Sequence, residues 1–491
     1  MRGKNALSIM GAVAAVLAFG VLVQAAQAAE KQQRPNIVWI LAEDICPDLG
    51  CYGVNALKTP NLDKLAGGGI RYAKAFTAAP VCSTSRSAMM TGMHQNAIGA
   101  NQHRTSNKRP LPGDVTPFPL LLQKAGYHTG LMYSKKLDLN FQHSSKGLFP
   151  DGDWSKAGDR PFCVQITFGN THRSWHHYPH NPVDPAKVIV PPYYPDTPLV
   201  RRDIANGLEE IQKLDASVGG VLSRLEAEGL VQNTLVIFIG DHGRCQVRGK
   251  QFLYDSGTHV PLILRWPGHI EPGSVSDELV SAIDVTATVL AAAGVGVPEW
   301  MHGRDLLDPQ TPKRQYVFTA RDKMDNTHDA MRACRDKQYK YILNLMPERA
   351  YCQLNEYKEK QYPLLALLNV MHIKGELNEV QDRFMQPKKP PEELYDVVAD
   401  PFETKNLAAV PAHAAELRRM RKVLDEWRKS IGDKGVTEEF RKGGWPSTYP
   451  TRSLDQWEAK LAEWTRKLLG SAGGPPPAKH KAGKKKHKRV E

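Results

Sequence analysis

Short runs of consecutive apolar residues alternate with amphipathic stretches along the first 300 residues of the chain. Residues 36–41, 162–168 and 234–239 are apolar almost throughout, which is typical of strands that a parallel sheet buries on both faces. Residues 203–228 repeat apolar side chains at helical spacing and predict the longest helix. Alternating strands and helices of this kind predict a doubly wound α/β domain.

The pattern changes beyond about residue 311. Short strand-like runs separated by charged turns, at 316–319, 331–334 and 339–343, predict a small antiparallel sheet. We therefore expect a large α/β domain followed by a smaller domain, an irregular and partly helical extension, and a disordered basic tail. The predicted boundaries, after a signal peptide at 1–28, are 34–310, 311–432, 433–470 and 471–491.

The N-terminus has the features of an export signal. Arg2 and Lys4 precede an apolar run from Ala6 to Val23, and Ala26-Gln27-Ala28 provides a cleavage site. The alternative is an uncleaved anchor, because the run approaches the ~18 residues that can span a membrane. We expect cleavage, export to a periplasm or outside the cell, and no stable membrane insertion afterwards.

Charge and cysteine content narrow the class of protein. The net charge is +13, but the tail from residue 471 carries seven Lys and Arg against one Glu. The folded part is therefore much less basic than the whole, and no nucleic-acid partner is expected. The seven cysteines contain no C-x-x-C pair, which excludes a zinc ribbon, and their odd number leaves at least one unpaired.

Polar residues follow two of the predicted buried strands directly. Glu43 and Asp44 come after 36–41, and Asp241 and His242 come after 234–239. Ligands of open α/β sheets gather at the carboxyl ends of the strands. Adjacent buried carboxylates are costly without a cation, and oxygen and imidazole ligands suit a divalent one. The alternative for the acidic pair is a solvated turn.

A second candidate feature is the cysteine at the start of a helical-looking run, 85–90. Cys82 there lies at the positive end of the peptide dipoles, with Arg86 one turn further on. Both favour an anionic group, although a buried, inert cysteine is the alternative. Lys135, Lys136 and His172 follow two further strands and could bind an anion or donate a proton, or could be solvated loop residues.

The Cys82 segment resembles the signature of the formylglycine sulfatases, in the alkaline phosphatase superfamily. The resemblance rests on Cys82-x-x-x-Arg86 with Thr91-Gly92, although Thr84 stands where proline or alanine is usual. It covers about residues 35–430 and is closest to heparan N-sulfatases (sulfamidases) and bacterial polysaccharide sulfatases. The other matching segments, in family order, are Pro35-Asn36-Ile37, Glu43-Asp44, Asp241-His242-Gly243, Glu393 to Asp396 and Asp400-Pro401.

The resemblance implies a central mixed sheet flanked by helices, a smaller C-terminal α+β domain, and hydrolysis of sulfate esters or N-sulfates of a saccharide. It further implies that a formylglycine-generating enzyme or its equivalent oxidises Cys82 to formylglycine. The calcium ligands it implies are Glu43, Asp44, Asp241, His242 and the modified Cys82.

The same resemblance implies roles for the basic residues. Arg86 would hold the formylglycine hydrate, Lys136 (with Lys135 as its rival) and Lys250 would bind the sulfate, and His172 would protonate the leaving group. Substrate contacts are expected from Asp138, where many members have histidine, and from His103 and Arg104. His94, Gln95 and the run 172–177 also carry groups suited to anionic sugars.

Two other functions remain open at this point. A phosphodiesterase or phosphonate hydrolase of the same superfamily would usually need two metals and an unmodified nucleophile. A non-catalytic protein that binds sulfated glycans would result if Cys82 were not converted.

Overall fold

A seven-stranded mixed sheet forms the centre of the molecule in the computed structural model, which describes residues 34–443 and 449–470. Its strand order is β3-β4-β1-β5-β6-β2-β7. The first four strands in that order are parallel, β6 is antiparallel to both its neighbours, and β7 is parallel to β2. The strands are β1 (Asn36–Ala42), β2 (Ile70–Phe76), β3 (His128–Met132), β4 (Phe162–Phe168), β5 (Thr234–Gly240), β6 (His259–Arg265) and β7 (Ser274–Ser281).

Strand β1 shows why the sheet needs helices on both faces. Ile37, Trp39 and Leu41 enter one hydrophobic core, while Val38 and Ile40 enter the other, and all are buried. Burial on both faces explains the continuous apolar runs, because a half-exposed strand would alternate. The predicted α/β domain, with a central mixed sheet flanked by helices, is therefore confirmed.

A second, smaller sheet has four antiparallel strands in the order β11-β10-β9-β8. Apolar side chains of the C-terminal helix 414–430, among them Leu417, Met420 and Leu424, pack against it. This confirms the small antiparallel sheet, whereas the exact domain boundaries stay a prediction. Its strands are β8 (Val317–Arg321), β9 (Met331–Arg335), β10 (Tyr339–Asn344) and β11 (Glu392–Asp396).

The helices lie on both faces of the large sheet and against the small one. They are α1 (Pro60–Gly67), α2 (Cys82–Thr91), α3 (Phe118–Lys124), α4 (Ser145–Leu148), α5 (Pro198–Ala227), α6 (Asp255–Thr258), α7 (Asp284–Ala292), α8 (Glu356–Gln361), α9 (Pro363–Lys374), α10 (Glu379–Asp382), α11 (Ala414–Ser430), α12 (Glu438–Lys442) and α13 (Leu454–Leu469). Short 3-10 turns occur at Gly50–Tyr52, Trp154–Lys156, Pro185–Lys187, Val231–Asn233, Arg383–Met385 and Pro411–His413.

The predicted signal peptide, 1–28, and basic tail, 471–491, lie outside the described residues. Among the residues that are described, no helix combines the length and apolar character needed to cross a membrane. All seven cysteines fall within the described part and are free thiols.

Candidate active site

The carboxyl ends of four adjacent parallel strands supply most of the site. In the order β3, β4, β1, β5 they lead into Lys136, His172, Glu43-Asp44 and Asp241-His242. Ala42 and Gly240 are paired in register, so the acidic segments that follow them meet at one edge. The Asp241 N–H donates to the Ala42 carbonyl over 2.9 Å, and the Asp44 N–H donates to Asp241 Oδ1 over 2.9 Å.

Close backbone approach explains the glycines around Asp241-His242. A Cβ at Gly243 would lie 2.3 Å from the Ser256 carbonyl oxygen, and one at Gly240 would lie 2.8 Å from Ile45 Cγ2. Both contacts are shorter than packed atoms tolerate, so a larger residue at either position would displace the segment that carries the candidate ligands.

Helix α2 brings Cys82 to the same edge as its first residue. The Thr84 hydroxyl donates to the Val81 carbonyl, and the Ser85 hydroxyl donates to the Asp241 carbonyl over 2.5 Å. Gly92 ends the helix in the left-handed conformation, with φ 66°. Thr84 therefore serves the helix start, and Ser85 fixes the helix to the end of β5.

Cys82 lies among the candidate metal ligands. Its Sγ is 3.2 Å from His242 Nε2, 3.5 Å from Lys250 Nζ and 3.9 Å from Asp44 Oδ1. Ligand atoms of Asp44, Cys82, Asp241 and His242 all lie within 4.8 Å of one another, and all four residues are buried. These four residues are up to 198 positions apart in the sequence, and only the fold brings them together.

Opposite charges hold this cluster together. Burial by itself raises the pKa of the Asp44 carboxyl, but Lys250 and His242 outweigh burial and hold that pKa well below its ordinary value. Burial would lower the pKa of His242, yet Asp241 and Asp44 raise it to about 10. Lys250 Nζ lies 3.0 Å from both Asp44 oxygens, and its pKa is well above normal because Asp44 overcomes the effect of burial.

Glu43 occupies a different position from Asp44. Its carboxylate lies 2.6 Å from Lys136 Nζ and 3.3 Å from Arg86 Nη2, and it is outside the group of four converging ligand atoms. Arg86 also donates from Nε to Asp241 Oδ2 over 3.0 Å. The buried Arg86 Nη1 finds no hydrogen-bond partner among the described residues, so it is available to an oxygen of a bound group.

His172 lies at the entrance to the cluster. Its side chain is partly exposed, its Nδ1 is 2.7 Å from the Arg173 carbonyl, and its Nε2 is 4.0 Å from Asp44 Oδ2. The carbonyl fixes the ring so that Nε2 faces the centre. Of the two candidate lysines, Lys136 makes the contact with Glu43, and Lys135 makes no ion pair within the described residues.

The three predicted substrate residues lie beside the start of α2. Arg104 and Asp138 form a two-point ion pair of 3.0 and 2.7 Å, which overcomes burial and lowers the pKa of Asp138 to about 2. His103 Nδ1 lies 2.8 Å from Ser83 Oγ, and burial lowers the pKa of His103 to about 4.

The other positions expected to suit anionic sugars divide between the protein surface, where Ser174, His176 and His177 are exposed, and the interior. His94 is buried against Trp427, and Gln95 donates to the Ala78 carbonyl. Arg173 forms a buried ion pair with Asp203, and the Trp175 indole donates to the Thr171 carbonyl. These side chains pack the protein interior, because the loops that carry them fold back onto α5 and the small sheet.

Sequence patterns did not indicate four residues that lie near the site. Gln251 follows Lys250, and the other three, Asp325, Asn355 and Tyr357, belong to the C-terminal half of the chain. Tyr357 lies with its ring centre 5.9 Å from that of His172 and 5.6 Å from Lys250 Nζ. Gln251, Asp325 and Asn355 are linked by side-chain hydrogen bonds close to His103. Gln251 and Asp325 lie in turns, and Asn355 and Tyr357 lie at the start of the short helix α8. Only tertiary folding brings these residues to the site, and the sequence around them carries no recognisable motif.

The cluster fits a divalent cation. Calcium–oxygen distances of about 2.3–2.6 Å place ligands on opposite sides of the ion at most about 5 Å apart, close to the observed spread of 4.8 Å. Two carboxylates and an imidazole provide the metal ligands. An anionic group that enters the site would then balance the charge of the surrounding cationic side chains. The fold and site together define an α/β protein that can hold a divalent cation and an anionic group at one edge of its central sheet.

Comparisons with known proteins identify the family. The profile described as Sulfatase matches residues 35–148 and 142–295, and one described as N-sulphoglucosamine sulphohydrolase, C-terminal, matches residues 240–386. An ulvan-active sulfatase of Formosa agariphila is 34% identical over 454 residues, covering 82% of this chain and 76% of that protein. Human N-sulphoglucosamine sulphohydrolase is 27% identical over 460 residues, covering 82% and 91%.

A solved structure is similar over most of its length. It holds a protein in complex with its substrate D-glucosamine-2-N,6-O-disulfate, with a TM-score of 0.60, 20% identity, and coverage of 84% of this chain and 100% of that one. The two structures share the same fold, and the sequence match to the Formosa agariphila sulfatase covers most of the chain. The chain belongs to the sulfatase family, and it is an enzyme of that class.

Proposed function

We propose that the protein is a calcium-dependent sulfatase that releases sulfate from a sulfated saccharide by means of a formylglycine hydrate derived from Cys82. The observation that carries the proposal is the convergence of Asp44, Cys82, Asp241 and His242 at one sheet edge. Family membership supports the reaction, and the donor set supports a divalent cation.

Asp44, Asp241 and His242 would hold the cation, with Glu43 placed behind them by Lys136 and Arg86. When bound, the cation would lower the pKa of a hydroxyl on residue 82 and offset the charge of the sulfate. Glu43 would therefore form ion pairs with Lys136 and Arg86 in addition to the metal-ligand role expected from the resemblance.

Arg86, Lys136 and Lys250 would bind the sulfate oxygens. All three carry positive charge, and Arg86 and Lys250 are buried, where a fixed donor contributes more than in solution. Lys250 lies 3.5 Å from Cys82 Sγ, and Arg86 Nη1 lacks a partner among the described residues. These positions suit groups that stabilise charge on an anion attached to residue 82.

His172 would supply the proton to the departing alcohol or amine. The Arg173 carbonyl orients its ring through Nδ1, and its Nε2 faces the centre at the partly exposed entrance. A leaving group must be outside the buried cluster, so a donor at the entrance is correctly placed.

The substrate class is a sulfated polysaccharide or glycosaminoglycan fragment. Relatives named for ulvan and for N-sulphoglucosamine support this class. We further propose that residues 1–28 direct export to the periplasm or the exterior, and that a formylglycine-generating enzyme or its equivalent modifies Cys82.

Sulfate release from a panel of saccharides tests the function. The panel contains ulvan oligosaccharides, N-sulphoglucosamine and glucosamine-2-N,6-O-disulfate, assayed with calcium-loaded protein by ion chromatography. We expect release from at least one of them, and a Cys82 peptide about 18 Da lighter than the unmodified cysteine peptide, the change on replacing sulfur by oxygen with loss of two hydrogens. An unmodified thiol with binding but no release would instead identify a non-catalytic glycan-binding protein. Hydrolysis of an aryl phosphonate monoester, assayed beside the panel, without any sulfate release would identify a phosphonate hydrolase.

A further inference from the structure

Left-handed backbone conformations are concentrated around residue 82. Arg104, Asp138, Gln251 and Asp325 have φ angles of 50°, 54°, 78° and 52°. A non-glycine residue in this region costs of order 1–3 kcal/mol and persists where the surrounding structure determines it. None of the four has a role in the proposed chemistry of sulfate release, so their conformations call for another explanation.

Hydrogen bonds tie the loops that carry these residues to the segment containing Cys82. Arg104 N donates to Ser83 Oγ over 3.2 Å, and Gln251 N donates to the Pro80 carbonyl over 2.7 Å. Asn140 N, two residues after Asp138, donates to Ser87 Oγ over 2.8 Å. These loops are therefore positioned relative to the nucleophile and not merely near it.

Asp325 joins this group through side chains. Its Oδ2 accepts from Gln251 Nε2 over 2.5 Å and from Asn355 Nδ2 over 3.4 Å. His103, whose Nδ1 contacts Ser83, lies with Nε2 3.6 Å from Asp325 Oδ1. A continuous chain of polar side chains thus runs from the residue after Cys82 to Asp325. We call these six residues the rim: His103, Arg104, Asp138, Gln251, Asp325 and Asn355.

Two polar atoms of the rim remain available. Asp325 Oδ1 makes no hydrogen bond within the described residues, and its side chain is 26% exposed. Arg104 uses Nε and Nη2 to bind Asp138, while its Nη1 makes no hydrogen bond with a described residue and its side chain is 52% exposed. The rim therefore offers one carboxylate oxygen as acceptor and one guanidinium nitrogen as donor, each held by its neighbours.

An acceptor and a donor on a fixed frame suit the hydroxyl groups of a sugar ring, because each hydroxyl both donates and accepts. Hydrogen bonds to charged groups are also the stronger kind. A second sulfate or a carboxylate next to Asp325 would meet an unfavourable like charge.

We propose that Asp325 is a specificity-determining residue, which binds a free hydroxyl of the sulfated sugar and disfavours a second anionic group at that position, with Arg104 as the companion donor. This inference rests on the proposed sulfatase function and names the part of the site that selects the sugar. It adds a contact to the sugar ring and leaves the sulfate-binding groups unchanged.

The variant Asp325→Asn tests the inference. Asparagine tolerates the left-handed backbone at residue 325 and can still accept from Gln251, so the fold should persist. Asp325→Gly, which tolerates the same backbone and removes the side chain, is measured beside it. Asp277→Asn, at an exposed carboxylate on the large sheet, is the matched control. All are normalised to the fraction of modified residue 82 measured by mass spectrometry.

The readouts are kcat and KM for the saccharide that wild type desulfates fastest, and inhibition by inorganic sulfate, which has no sugar ring. We expect kcat/KM to fall about 10- to 100-fold in both Asp325 variants, mainly through KM. The inhibition constant for inorganic sulfate should change by less than about twofold, and the control should match wild type.

Equal changes in saccharide turnover and sulfate inhibition would overturn the inference, because Asp325 would then support the whole centre. Unchanged kcat/KM in both variants would overturn it as well. Failure of wild type to release sulfate from any saccharide is a separate result, which would refute the proposed function itself.

Discussion

Replacing Lys250 with methionine separates sulfate binding from metal binding. Lys250 Nζ lies 3.0 Å from both oxygens of Asp44 and 3.5 Å from Cys82 Sγ, and the side chain is buried. At an effective dielectric constant of about 20, a pair of unit charges 3 Å apart attracts by about 5–6 kcal/mol before desolvation is subtracted. Methionine keeps most of the volume and removes the charge.

The rate should fall strongly if Lys250 stabilises the anion in the transition state. Loss of one preorganised donor costs about 100- to 1000-fold in rate, roughly 3–4 kcal/mol. Calcium affinity should stay the same or increase, because the variant removes a cation that competes for Asp44. The measurements are kcat/KM for sulfate release and calcium binding by isothermal titration calorimetry.

Two results would refute this reasoning. Activity within tenfold of wild type would show that Lys250 does not stabilise the reacting anion. Recovery of full activity at high calcium would show that Lys250 acts by supporting the metal. Lys124→Met, at an exposed lysine on α3, controls for general loss of charge and should remain within twofold of wild type.

Four further predictions concern the nucleophile, the metal and the fold. Cys82→Ala should abolish sulfate release while leaving the thermal unfolding temperature within a few degrees, measured by ion chromatography and calorimetry. Dialysis against a chelator should remove activity, and calcium should restore it. Gly92→Ala should destabilise the protein by about 1–3 kcal/mol in urea unfolding, because Gly92 has φ 66° and a Cβ there would lie 2.6 Å from Met301 Sδ. Asp433→Asn should cost roughly 2–3 kcal/mol at pH 7, since Asp433 accepts from the buried Arg332 over 2.8 Å, while Arg332 keeps its ion pair with Asp322 in the variant.

The contribution of Asp433 to the free energy of unfolding should decrease at low pH. Burial raises its pKa, but hydrogen bonds from Arg332 outweigh burial and lower the pKa to about 2. A depressed carboxyl pKa stabilises the fold fully above the unfolded value near 4, and the contribution disappears as pH falls toward 2. The difference between wild type and Asp433→Asn should therefore narrow between pH 4 and pH 2, and a constant difference would contradict the assignment.

Contrary results for the other variants are equally specific. Retained turnover in Cys82→Ala would exclude residue 82 as the nucleophile. Full activity after chelation would exclude a required metal, and restoration by zinc but not by calcium would change its identity. An unchanged free energy of unfolding for Gly92→Ala would show that the end of α2 can adjust.

Much of the site could be predicted because strands buried on both faces are easy to recognise. Such strands end abruptly, so the polar residues after β1 and β5 stand out, and parallel pairing guarantees that their ends meet. The position of Lys136 after β3 and of His172 after β4 follows from the same regularity. The sequence alone did not indicate that Glu43 is held by Lys136 and Arg86.

Other elements of the fold and of the site could not be predicted from the sequence, for physical reasons. Helix α9, Pro363–Lys374, is buried on nearly all sides between α5 and α13, so it lacks the periodicity that marks a surface helix. Asp325 lies in a turn and Tyr357 in the short helix α8, and the placement of both depends on the small sheet and its neighbours. His94 resembles a ligand-binding histidine in the sequence, but only its packing against Trp427 shows otherwise.

The complete burial of Cys82 has a consequence for biosynthesis. Its side chain has no solvent exposure, and helix α2 is fixed to β5 through Ser85. A second enzyme cannot enclose a residue that the finished structure hides, so oxidation of this thiol would have to take place while the chain is still extended. Folding and the modification of Cys82 would then compete kinetically. Faster folding would leave a larger fraction of the molecules unmodified and permanently inactive.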